Sequence, residues 1–79
     1  MKNKYIIIEM QTNADNTVGT LVYDADDFAT AQSIYYSKLA AAAVSSLPVH
    51  SVILMNNEAF PIKNECFTHE VPVTYNEEN

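Results

Sequence analysis

Residues 24–48, DADDFATAQSIYYSKLAAAAVSSLP, decide how this chain folds. Asp24, Asp26 and Asp27 mark a helix start, because an aspartate there accepts hydrogen bonds from free backbone N–H groups and complements the positive end of the dipole. Phe28, Ala31, Tyr35, Leu39 and Ala42 then recur at three- and four-residue steps, and Ile34 widens the stripe. Thr30, Gln32, Ser33, Ser37 and Lys38 supply much of the polar side. Ser45, Ser46 and Pro48 end the pattern, since the residue before a proline avoids helical backbone. The spacing predicts one amphipathic helix over 26–45.

Working outward, each flank of this helix holds a pair of strands. Residues 4–11 place three consecutive isoleucines beside Tyr5, and β-branched side chains suit a pleated surface. Ile6, Ile8 and Met10 share one face there, while Tyr5, Ile7 and Glu9 take the other. Thr-Asn-Ala-Asp-Asn at 12–16 is a concentrated turn signal. A second strand follows over 17–24, with Val18, Thr20 and Val22 opposed by Leu21 and Tyr23. Gly19, the only glycine, sits near its start, where a bulge or a close backbone approach is expected. Beyond the helix, 49–55 reads as a third strand, Asn56-Asn-Glu as a turn and 59–67 as a fourth strand. Pro61 cannot donate to a ladder, which assigns that strand to a sheet edge.

The element order is ββαββ. Hairpins put strand 1 beside strand 2 and strand 3 beside strand 4, and a right-handed crossover through the helix joins them. The apolar strands 1 and 3 belong in the centre. The expected fold class is α+β: a four-stranded antiparallel sheet, order 2-1-3-4, with one helix on one face. Residues 1–70 form a single domain. The acidic tail at 71–79 is either disordered or adds a short strand.

One helix covers one face, yet strands 1 and 3 are apolar on both. Tyr5 and Ile7 oppose Ile6 and Ile8; Val52 and Leu54 oppose Ile53 and Met55. A solvated face normally alternates with polar residues, and large exposed apolar patches mark contact sites. A homo-oligomer, a two-fold dimer first of all, is the expected cover, with Tyr5, Ile7, Tyr36, Val52 and Leu54 as interface residues. The competing cover is the tail. The alanines at 40–43 either let the helix sit close on the sheet or let two helices cross.

Seventy-nine residues suit one domain with a thin stability margin. Cys66 is the only cysteine, so no disulfide forms within the chain, and a reducing, cytoplasmic setting is expected. A formal net charge of −6 disfavours nucleic acid and anionic membrane, both of which call for clustered Lys and Arg. It fits a basic partner or plain solubility. No apolar run reaches the ~18–20 residues of a membrane span.

Catalytic and metal constellations are weak. Cys66 and His69, beside Glu65 and Glu70, have half the spacing of a metal site, but zinc takes three or four ligands and His50 is the only other histidine. Cys66 with His50 or His69 as base lacks a following helix N-terminus and a glycine-rich oxyanion loop. The three aspartates lack the EF-hand alternation, and helix capping accounts for them. One glycine excludes the glycine-rich phosphate loops. No cofactor, metal or catalytic residue is assigned.

Tyr5-Ile-Ile-Ile-Glu-Met-Gln-Thr12, Thr17-Val-Gly-Thr-Leu-Val22, Leu39-Ala-Ala-Ala-Ala-Val44, Pro48-Val-His-Ser51 and Phe60-Pro-Ile62 together resemble a small protein type encoded in Gram-positive gut bacteria and their prophages. The resemblance spans about residues 4–70 and includes no diagnostic motif. It implies a phage or mobile-element accessory protein and carries over no activity or site residue. The expected function is a non-catalytic, oligomeric binding module, as a phage-encoded accessory or inhibitor protein. The alternatives are a structural component of a phage particle, and an enzyme or small-ligand protein whose site forms between subunits.

Overall fold

In the computed structural model, which describes residues 4–69, strands β1 (Tyr5–Thr12) and β2 (Val18–Ala25) precede helix α1 (Phe28–Ala43), and strands β3 (Val49–Asn56) and β4 (Pro61–Thr68) follow it. The strands form one antiparallel sheet in the order β2-β1-β3-β4, with α1 across one face. The α+β class, the ββαββ order and the strand order match the expectation. The expectations for the tail at 71–79 lie outside the described residues.

The helix is shorter than its spacing predicts, by a turn's worth of capping. Asp27 is the N-cap: its carboxylate accepts the Thr30 backbone N–H at 2.9 Å and the Thr30 hydroxyl at 2.8 Å. Asp26 instead lies 3.2 Å from Lys4 Nζ. At the other end the N–H groups of Val44 and Ser45 turn back onto the carbonyls of Ala41 and Ala42. Of the four alanines only Ala42 is buried, so the run serves the core at a single position.

Both hairpins close through the same loop. Asn13 N–H donates to Thr17 O at 2.8 Å while Asn16 N–H donates to Asn13 O; Asn56 N–H donates to Phe60 O at 3.1 Å while Ala59 N–H donates to Asn56 O. Each loop ends in a left-handed residue, Asn16 at φ 74° and Ala59 at φ 65°. Asparagine tolerates that conformation; alanine pays for its Cβ there. Replacing Ala59 with glycine should therefore stabilise the fold by about 0.5–1 kcal/mol, after allowing for the freer unfolded chain. A urea midpoint that stays put or falls would refute left-handed strain at 59.

Ile7, Val52 and Leu54 pack under Ala31, Tyr35 and Ala42 of α1, with Ala25 beside them and Tyr5, Tyr23, Ile34, Leu39 and Phe67 at the margin. This corrects the expected interface. Tyr5, Ile7, Val52 and Leu54 belong to the helix-covered face, and three of them are wholly buried. The open face carries the other alternation: Ile6, Ile8 and Met10 of β1, Val18 and Val22 of β2, and Val49, Ile53 and Met55 of β3. Tyr36 is half exposed on α1, beside β4 and on the opposite side of the sheet from the open face.

Candidate functional site

The chemistry-bearing groups that meet in this fold are Glu9, His50 and Ser45. Glu9 and His50 stand on adjacent central strands, one register step apart diagonally, because β1 pairs Gln11 with His50 and Glu9 with Val52. Both side chains point under the helix and are nearly inaccessible, at 5% and 4% exposure. His50 Nε2 lies 2.6 Å from Glu9 Oε2. A carboxylate can only accept, so Nε2 carries the proton. Nδ1 faces the Ser45 hydroxyl at 3.0 Å, just past the helix end. Gln11 Nε2 donates to Glu9 at 3.2 Å, and the Tyr23 hydroxyl donates to its other oxygen at 3.4 Å.

Burial pushes the Glu9 carboxyl up. The hydrogen bonds from His50 and Gln11, together with the electrostatic influence of His50 and Lys38, outweigh burial and hold the group below the usual carboxylate range. Lys38 reaches this region from α1, its Nζ 4.5 Å above the Tyr23 ring.

Hydroxyl, imidazole and carboxylate in series have the connectivity of an acyl-transfer triad. The surroundings of Ser45 oppose that chemistry. Its own N–H is engaged by Ala42 O, and the Leu47 N–H is directed at its hydroxyl oxygen at 3.4 Å. A helix C-terminus presents carbonyl oxygens, whose negative field disfavours an oxyanion. The arrangement instead ties the end of α1 to the sheet. His69 does the same from the end of β4, donating from Nε2 to Ala42 O at 3.0 Å.

The other candidate residues are dispersed. Cys66 pairs with Ser51 on the open face, whereas His50 pairs with Phe67 on the covered one, so thiol and imidazole are separated by the sheet. Cys66 is exposed and His69 is bound to the helix end. Among the described residues no three His, Cys, Asp or Glu side chains converge on a point where a metal could sit. Among the described residues no helix is long and apolar enough to cross a membrane. A shallow groove of about 440 Å³ runs between α1 and β4, lined by Tyr35, Tyr36, Leu39, Ile62, Lys63 and Glu65.

The Glu9–His50–Ser45 chain escaped sequence reading, although a signal was present. Glu9 interrupts an otherwise apolar alternation on a central strand, and His50 stands in the other central strand. Two titratable groups on neighbouring central strands face each other if the register permits.

The open face completes the inventory. Ile8 pairs with Val22 on one side and Ile53 on the other; Ile6 and Met10 flank it along β1. The positions between them are Thr20, Ser51 and, on β4, Asn64 and Cys66. Asp24, at the outer edge, is the only charged group among the paired residues of β1, β2 and β3 on this face. Comparison of the chain with protein-family models, with curated proteins and with solved structures found no match.

Proposed function

We propose that this chain is a non-catalytic binding module that works as a homodimer, two copies stacking their open sheet faces. The observation that carries the reading is the contiguous Ile6, Ile8, Met10, Val22, Ile53 and Met55 surface, almost free of charge, in a protein whose net charge is −6. Two like-charged copies repel least across the face where the central strands bear no charge and only Asp24 stands at the outer edge. Four strands about 4.8 Å apart and eight residues long at about 3.4 Å per residue give a footprint of roughly 500 Å² in projection. Pairing two such faces buries roughly 1,000 Å² or more, the lower bound for a specific interface. Sheets stacked in this way interdigitate as a sandwich about 10 Å thick.

Within that reading the lone thiol suits a reducing, cytoplasmic compartment, and the dimer acts by occupying a surface on another protein, as an accessory or inhibitor does. Sedimentation at micromolar concentration tests the assembly. The wild type should run at twice its 8.8 kDa mass. Ile8→Lys, which sets an ammonium group at the centre of the face, should run as a folded monomer. A wild type that is strictly monomeric, or a dimer indifferent to Ile8→Lys, would overturn the proposal.

A further inference from the structure

The two edges of the sheet are unequal, and the inequality points to a partner. β4 is defended in the ways edge strands usually are: Pro61 opens it, its pairing with β3 is irregular at Leu54/Met55, and Lys63 and Glu65 lie along it. β2, the opposite edge, has eight regular residues and neither proline, lysine nor bulge. It presents exposed apolar side chains on both faces: Val18, Leu21 and Val22 are 60%, 48% and 63% exposed. An undefended apolar edge is a template for another strand.

The hairpin fixes which backbone groups it offers. Asn13 and Thr17 form a hydrogen-bonded pair at the loop, and such pairs alternate along an antiparallel ladder. Gly19, Leu21, Tyr23 and Ala25 therefore spend their N–H and C=O groups on β1. Val18, Thr20, Val22 and Asp24 turn theirs outward.

Charge selects among occupants. Asp15 stands in the loop before β2, and Asp24, Asp26 and Asp27 stand at its far end, where Lys4 offsets Asp26. Lys38 lies midway on the helix side, over Tyr23. A second copy adding antiparallel at this edge would set the 24–27 end of one chain against the Asp15 end of the other, acid against acid. An extended segment with an apolar centre and basic flanks meets opposite charge at both ends and no extra cation in the middle.

We propose that β2 is a strand-addition site for an extended, apolar, basic-flanked segment of a partner protein. The site is the hydrogen-bonding edge of β2; it shares Val22 with the stacking face but uses outward backbone groups that stacking does not, so either proposal stands without the other.

The probe is a capped synthetic peptide of alternating valine and threonine between lysine pairs, titrated into the isotope-labelled protein and followed by amide chemical shifts. Saturable shifts centred on Val18, Thr20, Val22 and Asp24 are expected. Replacing the lysines with glutamates, or N-methylating the valines that face β2, should weaken binding on the order of tenfold or more. Thr20→Pro deletes one outward N–H and leaves the β1 ladder intact, since a proline is tolerated where the edge N–H faces solvent. That variant should remain folded and lose the peptide response. Shifts spread across the open face onto β1 and β3, or along β4, equal binding of the glutamate peptide, or no saturable shift at millimolar peptide would each overturn the inference. Should Thr20→Pro unfold, the N-methylated peptide on the wild type still decides it. A concentration-dependent shift confined to these amides without peptide, with none on Ile6, Ile8 or Ile53 of the stacking face, would identify a second copy as the occupant of the edge and refute it too.

Discussion

Replacing His50 with alanine should destabilise this protein by about 3–5 kcal/mol, the usual result of leaving a buried charge, here the Glu9 carboxylate, without its partner. The reason is what remains. Glu9 is 5% exposed, and without the imidazole it keeps only Gln11 and the longer contact from Tyr23. Ser45 also loses its link to the sheet, which leaves His69 alone of the two histidines to tie down the end of α1. A domain of this size has a total stability of roughly 4–12 kcal/mol, so the variant should unfold at low urea or fail to fold at 37 °C. Replacing both groups together, as in Glu9→Met with His50→Leu, should cost much less than His50→Ala alone, because no charge is then stranded. Equal or additive losses in the two variants would show that Glu9 and His50 are not coupled.

The same pair gives the fold an acid-labile component. Glu9 is held below its ordinary value of 4.5 in the folded state. Its contribution is therefore complete above that value and is lost as pH falls through the lower folded value. Asp15 and Asp27 are held low as well, by hydrogen bonds from Thr17 and from Thr30 respectively, and lose stability in the same direction. Urea midpoints measured from neutral pH down to pH 3 should fall steadily in the acid limb, and Glu9→Gln should flatten the limb in part. An unchanged limb in that variant would mean that the Glu9 carboxylate does not sustain the pair.

The second large effect separates two adjacent isoleucines. Ile7→Ala removes a fully buried side chain from beneath α1 and should destabilise the chain by about 2–5 kcal/mol, as core truncations do. Ile8, its neighbour, lies on the open face. Ile8→Ala should leave the urea midpoint of a dilute sample close to the wild-type value and weaken association instead. The contrast is sharp because a strand alternates with period two: a one-residue slip would exchange the two roles completely. If Ile8→Ala proved the more damaging to monomer stability, the faces would be assigned the wrong way round.

Much of this architecture is legible in the residues alone. The isoleucine run beside Tyr5, the aspartates before Phe28, the three-and-four spacing to Ala42 and Pro61 within 59–67 are local signals, and each specifies one element. Which face the helix covers is a different kind of fact. Tyr5, Ile7 and Glu9 alternate with Ile6, Ile8 and Met10, and by polarity alone the set containing a glutamate belongs outside. The fold reverses that because Glu9 is not alone: the strand register sets His50 diagonally beside it, and Gln11 and Tyr23 complete its hydrogen bonds. A buried carboxylate is tolerable only with such partners, and the partners are 41 residues away in the chain in the case of His50. Cys66 shows the converse. Its closeness in sequence to His69 suggested shared chemistry, but the sheet turns the thiol to the open side while the imidazole caps α1.

That open side is where the central proposal stands or falls. Mixing isotope-labelled and unlabelled protein and recording contacts that arise only between different chains tests it most directly. Stacked open faces predict intermolecular contacts among the methyl groups of Ile6, Ile8, Ile53 and Met55, and none from Ile7, Val52 or Leu54. Intermolecular contacts confined to other surfaces, or none at a concentration where sedimentation already shows association, would contradict the face-to-face dimer.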